Sequence, residues 1–250
     1  MSEILKAGSS AITKYFLSVK NNNKGVPGKL LGAIFNGLTL NQDGIEETTA
    51  CSHMSAVTYY TGSITDRGCK FVAYPCASQA DFDNGKCLTC KSSNSCNKMG
   101  YWSSTTADRG SLYLNTQNPD LRPLCLQNFG LTLYSHTINK ITTKGKFTIS
   151  FKTSTQQTST TELFDDNETT FKADSIVTKL ISLVKPISGS IQSATITFTR
   201  TTNILTAWIY DDKWSFSYIQ VQNGENGESV HLCPETLLIQ STKSVTFTKC

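Results

Sequence analysis

The sequence predicts a chain of two unlike parts: helices and cysteine-tied loops first, then an antiparallel β-sandwich. Three observations predict it. Apolar residues recur at helical spacing before residue 65. Seven of the nine cysteines lie between 51 and 125. From about residue 128, apolar residues alternate with polar or threonine residues in short runs bounded by turn signals.

The first element follows Pro27-Gly28, where Leu30, Leu31, Ile34, Phe35 and Leu38 form one helical stripe. Asn41-Gln42-Asp43-Gly44 is turn chemistry. A second helix begins near His53, with Ala56, Val57, Tyr60 and Ile64 sharing a face. Residues 69–127 read as compact loops. There Cys76 with Cys87, and Cys90 with Cys96, would each close a short loop. On a chain-entropy argument each closure contributes about 2–3 kcal/mol. The stretch Leu114–Asn128, with Pro119 and Pro123, reads as a linker. Beyond it FGLTLYS, GKFTISFKT, SATITFTR, LTAWIYDD, FSYIQVQ and SVTFTK read as strands. Asp165-Asp166-Asn167, Asn223-Gly224 and Asn226-Gly227 supply turns. Short strands without intervening helices make a sandwich.

Composition excludes some functions. A net charge of +4 spread over 250 residues, with no basic run, does not suit a nucleic-acid binder. No run approaches the ~20 apolar residues of a membrane-spanning helix. Cysteine usage points to an oxidising compartment. MSEILKAGSSAITKYF has no export-signal core, so the cysteine-rich chain reads as a fragment of an extracellular protein. Cys87-Leu-Thr-Cys90 lacks the second pair that zinc needs, and Asp165-Asp166 is no calcium cage, so no metal or cofactor is expected. Asn167-Glu168-Thr169 is a glycosylation sequon. Of the three histidines, His136 and His231 read as strand-end or surface residues.

The order of three segments carries a resemblance. CSHMSAVTYYTGSI is followed by FVAYPCASQADFDNGKCLTCKSSNSCNKMGY, and the sandwich ends in HLCPETL and FTKC. Together these resemble the pancreatic lipase family. The resemblance implies the C-terminal part of an α/β-hydrolase catalytic domain over residues 1–120, then a PLAT-like β-sandwich over 121–250. It implies ester hydrolysis of triacylglycerols or phospholipids at a lipid–water interface. The family's Cys-x-His segment falls on Cys51 and His53, which makes His53 the general base: it takes the serine proton and returns it to the leaving alkoxide. The family's disulfides fall on Cys76–Cys87, Cys90–Cys96 and Cys233–Cys250.

Residues 25–51 match the family's lid, but Lys29 stands where the lid's first cysteine is expected. Cys51, Cys69 and Cys125 are therefore left without assigned partners. Leu30, Leu31, Ile34 and Phe35 become lipid-contact candidates. In the sandwich Trp208 is expected inside, while Trp214, beside the turn Asp211-Asp212-Lys213, is expected at the lipid surface. The implied partners are a lipid interface and a small cofactor protein.

One part is missing from the 250 residues. In this fold the triad runs serine, acid, histidine, and the serine needs Gly-x-Ser-x-Gly. Gly8-Ser9-Ser10-Ala11-Ile12 comes nearest and lacks the second glycine. The chain is therefore expected to be inactive alone. The alternatives are a non-catalytic lipid- or protein-binding module, or a yolk-protein-like relative with the lipase fold and no catalysis.

Overall fold

A computed structural model describes residues 55–66, 68, 70–88, 90, 95–107, 110–136, 143–163, 169–172, 174–201 and 212–250. The chain divides into two compact units, Met1–Pro75 with Asn94–Leu126, and Cys76–Ser93 with Gln127–Cys250.

In the first unit, helix α1 covers residues 55–65. Three short antiparallel strands accompany it: β1 (Val72–Pro75), β2 (Asn97–Lys98) and β3 (Leu112–Tyr113), in the order β2-β1-β3. A single 3₁₀ turn, Gly100–Trp102, follows β2. Tyr59, Phe71, Ala73, Leu114, Leu124 and Cys125 form a small core with Met99 and Leu112 against it. Every strand pair among the described residues is antiparallel.

The second unit is an antiparallel β-sandwich. Its main strands are β4 (Gln127–Ser135), β5 (Thr143–Thr153), β6 (Thr158–Glu162), β8 (Ile176–Leu183), β9 (Ile191–Arg200), β10 (Lys213–Asn223), β11 (Ser229–Pro234) and β13 (Ser244–Lys249). They pair in the order β6-β5-β9-β13-β11-β10-β4-β8. The short strands β7 (Thr169–Phe171) and β12 (Leu238–Gln240) add to β5 and β10. The two ends of the path meet, where Thr161 of β6 donates its hydroxyl to the Ser182 carbonyl of β8 at 3.3 Å.

Alternation fills the space between the layers. In β5, Phe147, Ile149 and Phe151 point inward and the residues between them do not. Phe129 of β4 stacks on Phe151 across the core, ring centroids 5.7 Å apart. Phe216 of β10 meets Phe247 of β13 edge-on at 5.6 Å. Two bulges break the alternation. Lys152 pairs with Ser193 but Thr153 with Ile191, so Ile191 and Ala194 both face inward. In β10 the register slips between Phe216 and Tyr218. Trp214 and Phe216 are inside above the slip, and Ile219 and Val221 below it.

β4 departs from alternation in another way. Gln127 through Leu131 are all buried, because both faces of this strand's first half are covered. The outer cover is the segment Cys76–Ser93. Cys76 and Cys87 are joined, Cα atoms 5.5 Å apart. Between them lies helix α2 (Gln79–Asp83), whose first turn Ser78 caps by accepting from the Asp81 N–H at 3.1 Å. Phe82 and Leu88 are fully buried. Gln222 of β10 donates its side-chain amide to the Leu88 carbonyl at 2.7 Å, and Lys179 of β8 donates to the Asn84 side chain at 3.3 Å.

This docking needs two glycines. A Cβ on Gly130 would lie 3.2 Å from the Gly85 carbonyl oxygen, and one on Gly85 would lie 3.0 Å from the Lys179 carbonyl oxygen. Gly85 also has φ +64°. Gly85→Val is therefore expected to cost about 1–3 kcal/mol through backbone strain and this contact. Urea unfolding of the full chain checks it, and an unchanged midpoint would contradict the docking.

Candidate functional site

His53 lies outside the described residues, as do Leu30, Leu31, Ile34, Phe35, Cys51 and Trp208. What the structure does describe is α1, helical over residues 55–65.

α1 is held on one face. Tyr59, Gly62 and Ser63 are buried. Tyr59 donates its hydroxyl to the Gln117 carbonyl at 2.6 Å. Burial, with the Asp120 carboxylate adding to it, raises the Tyr59 phenol above its ordinary value. Gly62 lets the helix close on Leu124 and Phe71, since a Cβ there would collide with the Leu124 side chain. Ser63 donates to the Tyr60 carbonyl at 2.6 Å and accepts from the Tyr101 N–H at 2.9 Å, which ties the 3₁₀ turn to the helix. Val57, Tyr60 and Ile64 do share a face, but it is the outward one, with exposures of 59%, 51% and 42%. Tyr101 and Trp102 are exposed as well, at 56% and 61%. Neither is among the candidate site residues read from the sequence. The signal was available: two aromatics in a turn with no apolar alternation around them.

Trp214 requires a correction. It was expected at a lipid surface and is 4% exposed. Its ring packs edge-on against Phe147 at 4.4 Å and beside Phe216 at 3.7 Å, in the sandwich core. The reason is the bulge. Unbroken alternation carried back from Val221 and Ile219 puts residue 214 outside, and one extra residue in β10 turns it in.

The cysteines are mostly spent. Cys233 and Cys250 are joined, Cα atoms 5.4 Å apart, and Cys90, Cys96 and Cys125 are each in a disulfide. His231 lies exposed on β11, its ring edge-on to Tyr218 at 5.8 Å, and Tyr218 stacks on Tyr134 at 4.1 Å. His136 follows β4, its backbone N–H bonded to the Ser215 carbonyl at 3.1 Å. Neither stands beside a serine–carboxylate arrangement that the described contacts record. Among the described residues no group of three or more His, Cys, Asp or Glu is placed to hold a metal ion.

The sequence model of the Lipase family matches residues 21–120, a span that contains His53 and α1. Pancreatic lipase-related protein 2 of Bos taurus is 35% identical over 106 residues, which is 38% of this chain and 22% of that protein. Lipase member H of Rattus norvegicus is 30% identical over 114 residues, 41% of this chain and 24% of that protein. Over residues 21–120, then, the chain is similar to the Lipase family, and its similarity to these relatives covers 38% and 41% of its length. The inactive pancreatic lipase-related protein 1 of Mus musculus is also similar, 29% identical over 116 residues, 44% of this chain and 24% of that protein. The match to this lipase family thus spans about a quarter of the relatives' own length. Among solved structures, a coral 8R-lipoxygenase overlaps 49% of the chain and 17% of its own at 12% identity and TM-score 0.37. Clostridium perfringens alpha-toxin overlaps 49% of the chain and 31% of its own at 15% identity and TM-score 0.37. The sandwich itself rests on its strand pairing.

Two outcomes follow from these contacts. Trp214→Ala is expected to cost about 3–5 kcal/mol, as loss of a core aromatic does, and chemical denaturation measures it. Tyr59→Phe is expected to cost about 0.5–1.5 kcal/mol for the lost hydrogen bond. Because the folded phenol titrates above its unfolded value, its contribution is complete below pH 10.0 and is lost as pH rises through the raised value. The stability difference between parent and Tyr59→Phe should accordingly shrink in alkaline titrations of the unfolding midpoint.

Proposed function

We propose that this chain carries the histidine end of a lipase catalytic site without its nucleophile. In this reading residues 1–120 are the C-terminal portion of an α/β-hydrolase domain, and residues 121–250 are a PLAT-like sandwich. The parent activity is hydrolysis of triacylglycerol or phospholipid esters at a lipid–water interface outside the cell. His53 is its general base, and the 250-residue chain alone has no triad-dependent activity.

One observation carries the reading: the lipase match encloses Cys51-Ser52-His53, while no Gly-x-Ser-x-Gly occurs anywhere in the 250 residues. A general base contributes ~10²–10⁴-fold to rate, but only when a nucleophile lies within hydrogen-bond reach. The disulfides suit an oxidising, extracellular setting. The lipid interface and a small cofactor protein are the partners of the whole protein in this reading.

The second reading, a non-catalytic binding module, is favoured by the inactive relative among the matched proteins. Hydrolysis of a short-chain ester separates the two from true catalysis. The purified chain is expected to match the uncatalysed rate, with no change in His53→Ala. Robust hydrolysis abolished by His53→Ala would overturn the inactivity. Co-sedimentation with phosphatidylcholine vesicles, in the absence of hydrolysis, would support the binding module.

A further inference from the structure

We propose that the turn between β10 and β11 is a self-modifying site, where the fold directs Asn226 to become aspartate and isoaspartate by reaction with its own backbone and water. The inference is independent of whether the chain hydrolyses esters.

The chemistry needs Asn followed by Gly, where no Cβ shields the attacking backbone nitrogen. Gly227 gives up its amide proton, and its nitrogen bonds to the side-chain carbonyl carbon of Asn226. The bond from that carbon to Nδ2 breaks, and ammonia leaves with the proton. A five-membered imide remains. Water opens it at one of two bonds. Cleavage on the side-chain side leaves aspartate at 226. Cleavage on the main-chain side leaves isoaspartate, with the chain routed through the former side chain. One water is taken up and one ammonia is released.

Among the described residues three pairs have this sequence: Asn84-Gly85, Asn223-Gly224 and Asn226-Gly227. The structure separates them. Asn84 accepts from Lys179 at 3.3 Å, and its backbone N–H donates to the Ala80 carbonyl at 3.0 Å. Gly85 is buried, its N–H donates to the Phe82 carbonyl at 2.8 Å, and the Lys179 backbone blocks its movement. Asn223 ends β10, paired with Phe129 of β4. Gly224 is buried, and its N–H donates to the Asn128 carbonyl of β4 at 2.9 Å. Neither glycine nitrogen can attack unless packed structure opens.

Asn226 differs. It is exposed, and its side-chain oxygen accepts from the Glu228 N–H at 2.9 Å. The Gly227 N–H donates to the Asn223 carbonyl at 2.8 Å. Both bonds close within the turn, so breaking them separates no strand pair. Such local openings are far more populated than openings of a paired strand. The Glu228 N–H also points at the right atom. Attack on the side-chain carbon pushes negative charge onto its oxygen, where that donor already lies. The product carboxylate falls between Glu225 and Glu228, so the turn gains a third acid. Isoaspartate also lengthens the main chain next to the Gln222–Ser229 pair that opens the β10–β11 ladder.

Peptide mapping by mass spectrometry tests this on the full chain, held folded in mildly alkaline buffer. Asn226 is expected to convert several-fold faster than Asn84 and Asn223, giving both aspartate and isoaspartate. In urea, where the fold is gone, the three positions should convert at comparable rates. Asn226→Gln should end the change in that peptide and leave the slow conversions at 84 and 223 as they were. Conversion of Asn84 or Asn223 as fast as Asn226 in the folded chain would overturn the proposal. So would an unchanged Asn226 in the folded chain at a time when the urea sample has converted. So would the same ranking in urea, which assigns the preference to local sequence and not to the turn.

Discussion

The sandwich depends on aromatic contact between its two layers. Phe129 on Phe151, Phe147 on Trp214 and Phe216 on Phe247 each join a strand of one layer to a strand of the other. Fully burying one such ring is worth about 1.5–3 kcal/mol by area, with more from ring geometry. The contacts require that rings from β4, β5, β10 and β13 all point the same way. Strand period alone does not ensure this over eleven-residue strands. The bulges in β9 and β10 reset the phase. Trp214 is a core residue because of one additional residue three positions away.

The strands were legible in the sequence because alternation is a local property. GKFTISFKT reads as a half-buried strand from its own nine letters, and β5 contains it. A bulge is not local in that sense. It is a mismatch between two strands, so the orientation of Trp214 was hidden until Phe216 and Tyr218 were seen against Ser135 and Tyr134. The docking of Cys76–Ser93 was hidden for a similar reason. Gly85 and Gly130 look like ordinary turn and strand glycines, and their use emerges only from a backbone approach across 45 residues of sequence. Spacing suggested the Cys76–Cys87 loop, since closing a short loop is local chemistry, but not what the loop rests on. Spacing showed that Val57, Tyr60 and Ile64 share a face of α1 but not that this face points outward, which follows from the burial of Tyr59 on the other side.

Around His53 the sequence says more than the described coordinates. The Cys-Ser-His order lies within the span that matches the Lipase family, while the structure contributes the helix over residues 55–65. That helix is anchored by one buried hydroxyl and one serine bridge, on a core of six residues. Among the described residues that core is small beside the twenty-two that fill the sandwich.

This bears on how a catalytic base is held. A general base works only if its imidazole is fixed within tenths of an ångström of its partners. Fixing residue 53 requires that α1 not move. Tyr59 and Ser63 restrain one face of α1 through their hydrogen bonds to Gln117, Tyr60 and Tyr101. Position and nucleophile are separate requirements for a base at residue 53: the anchoring of α1 bears on the first, and a Gly-x-Ser-x-Gly turn, which these 250 residues do not contain, bears on the second.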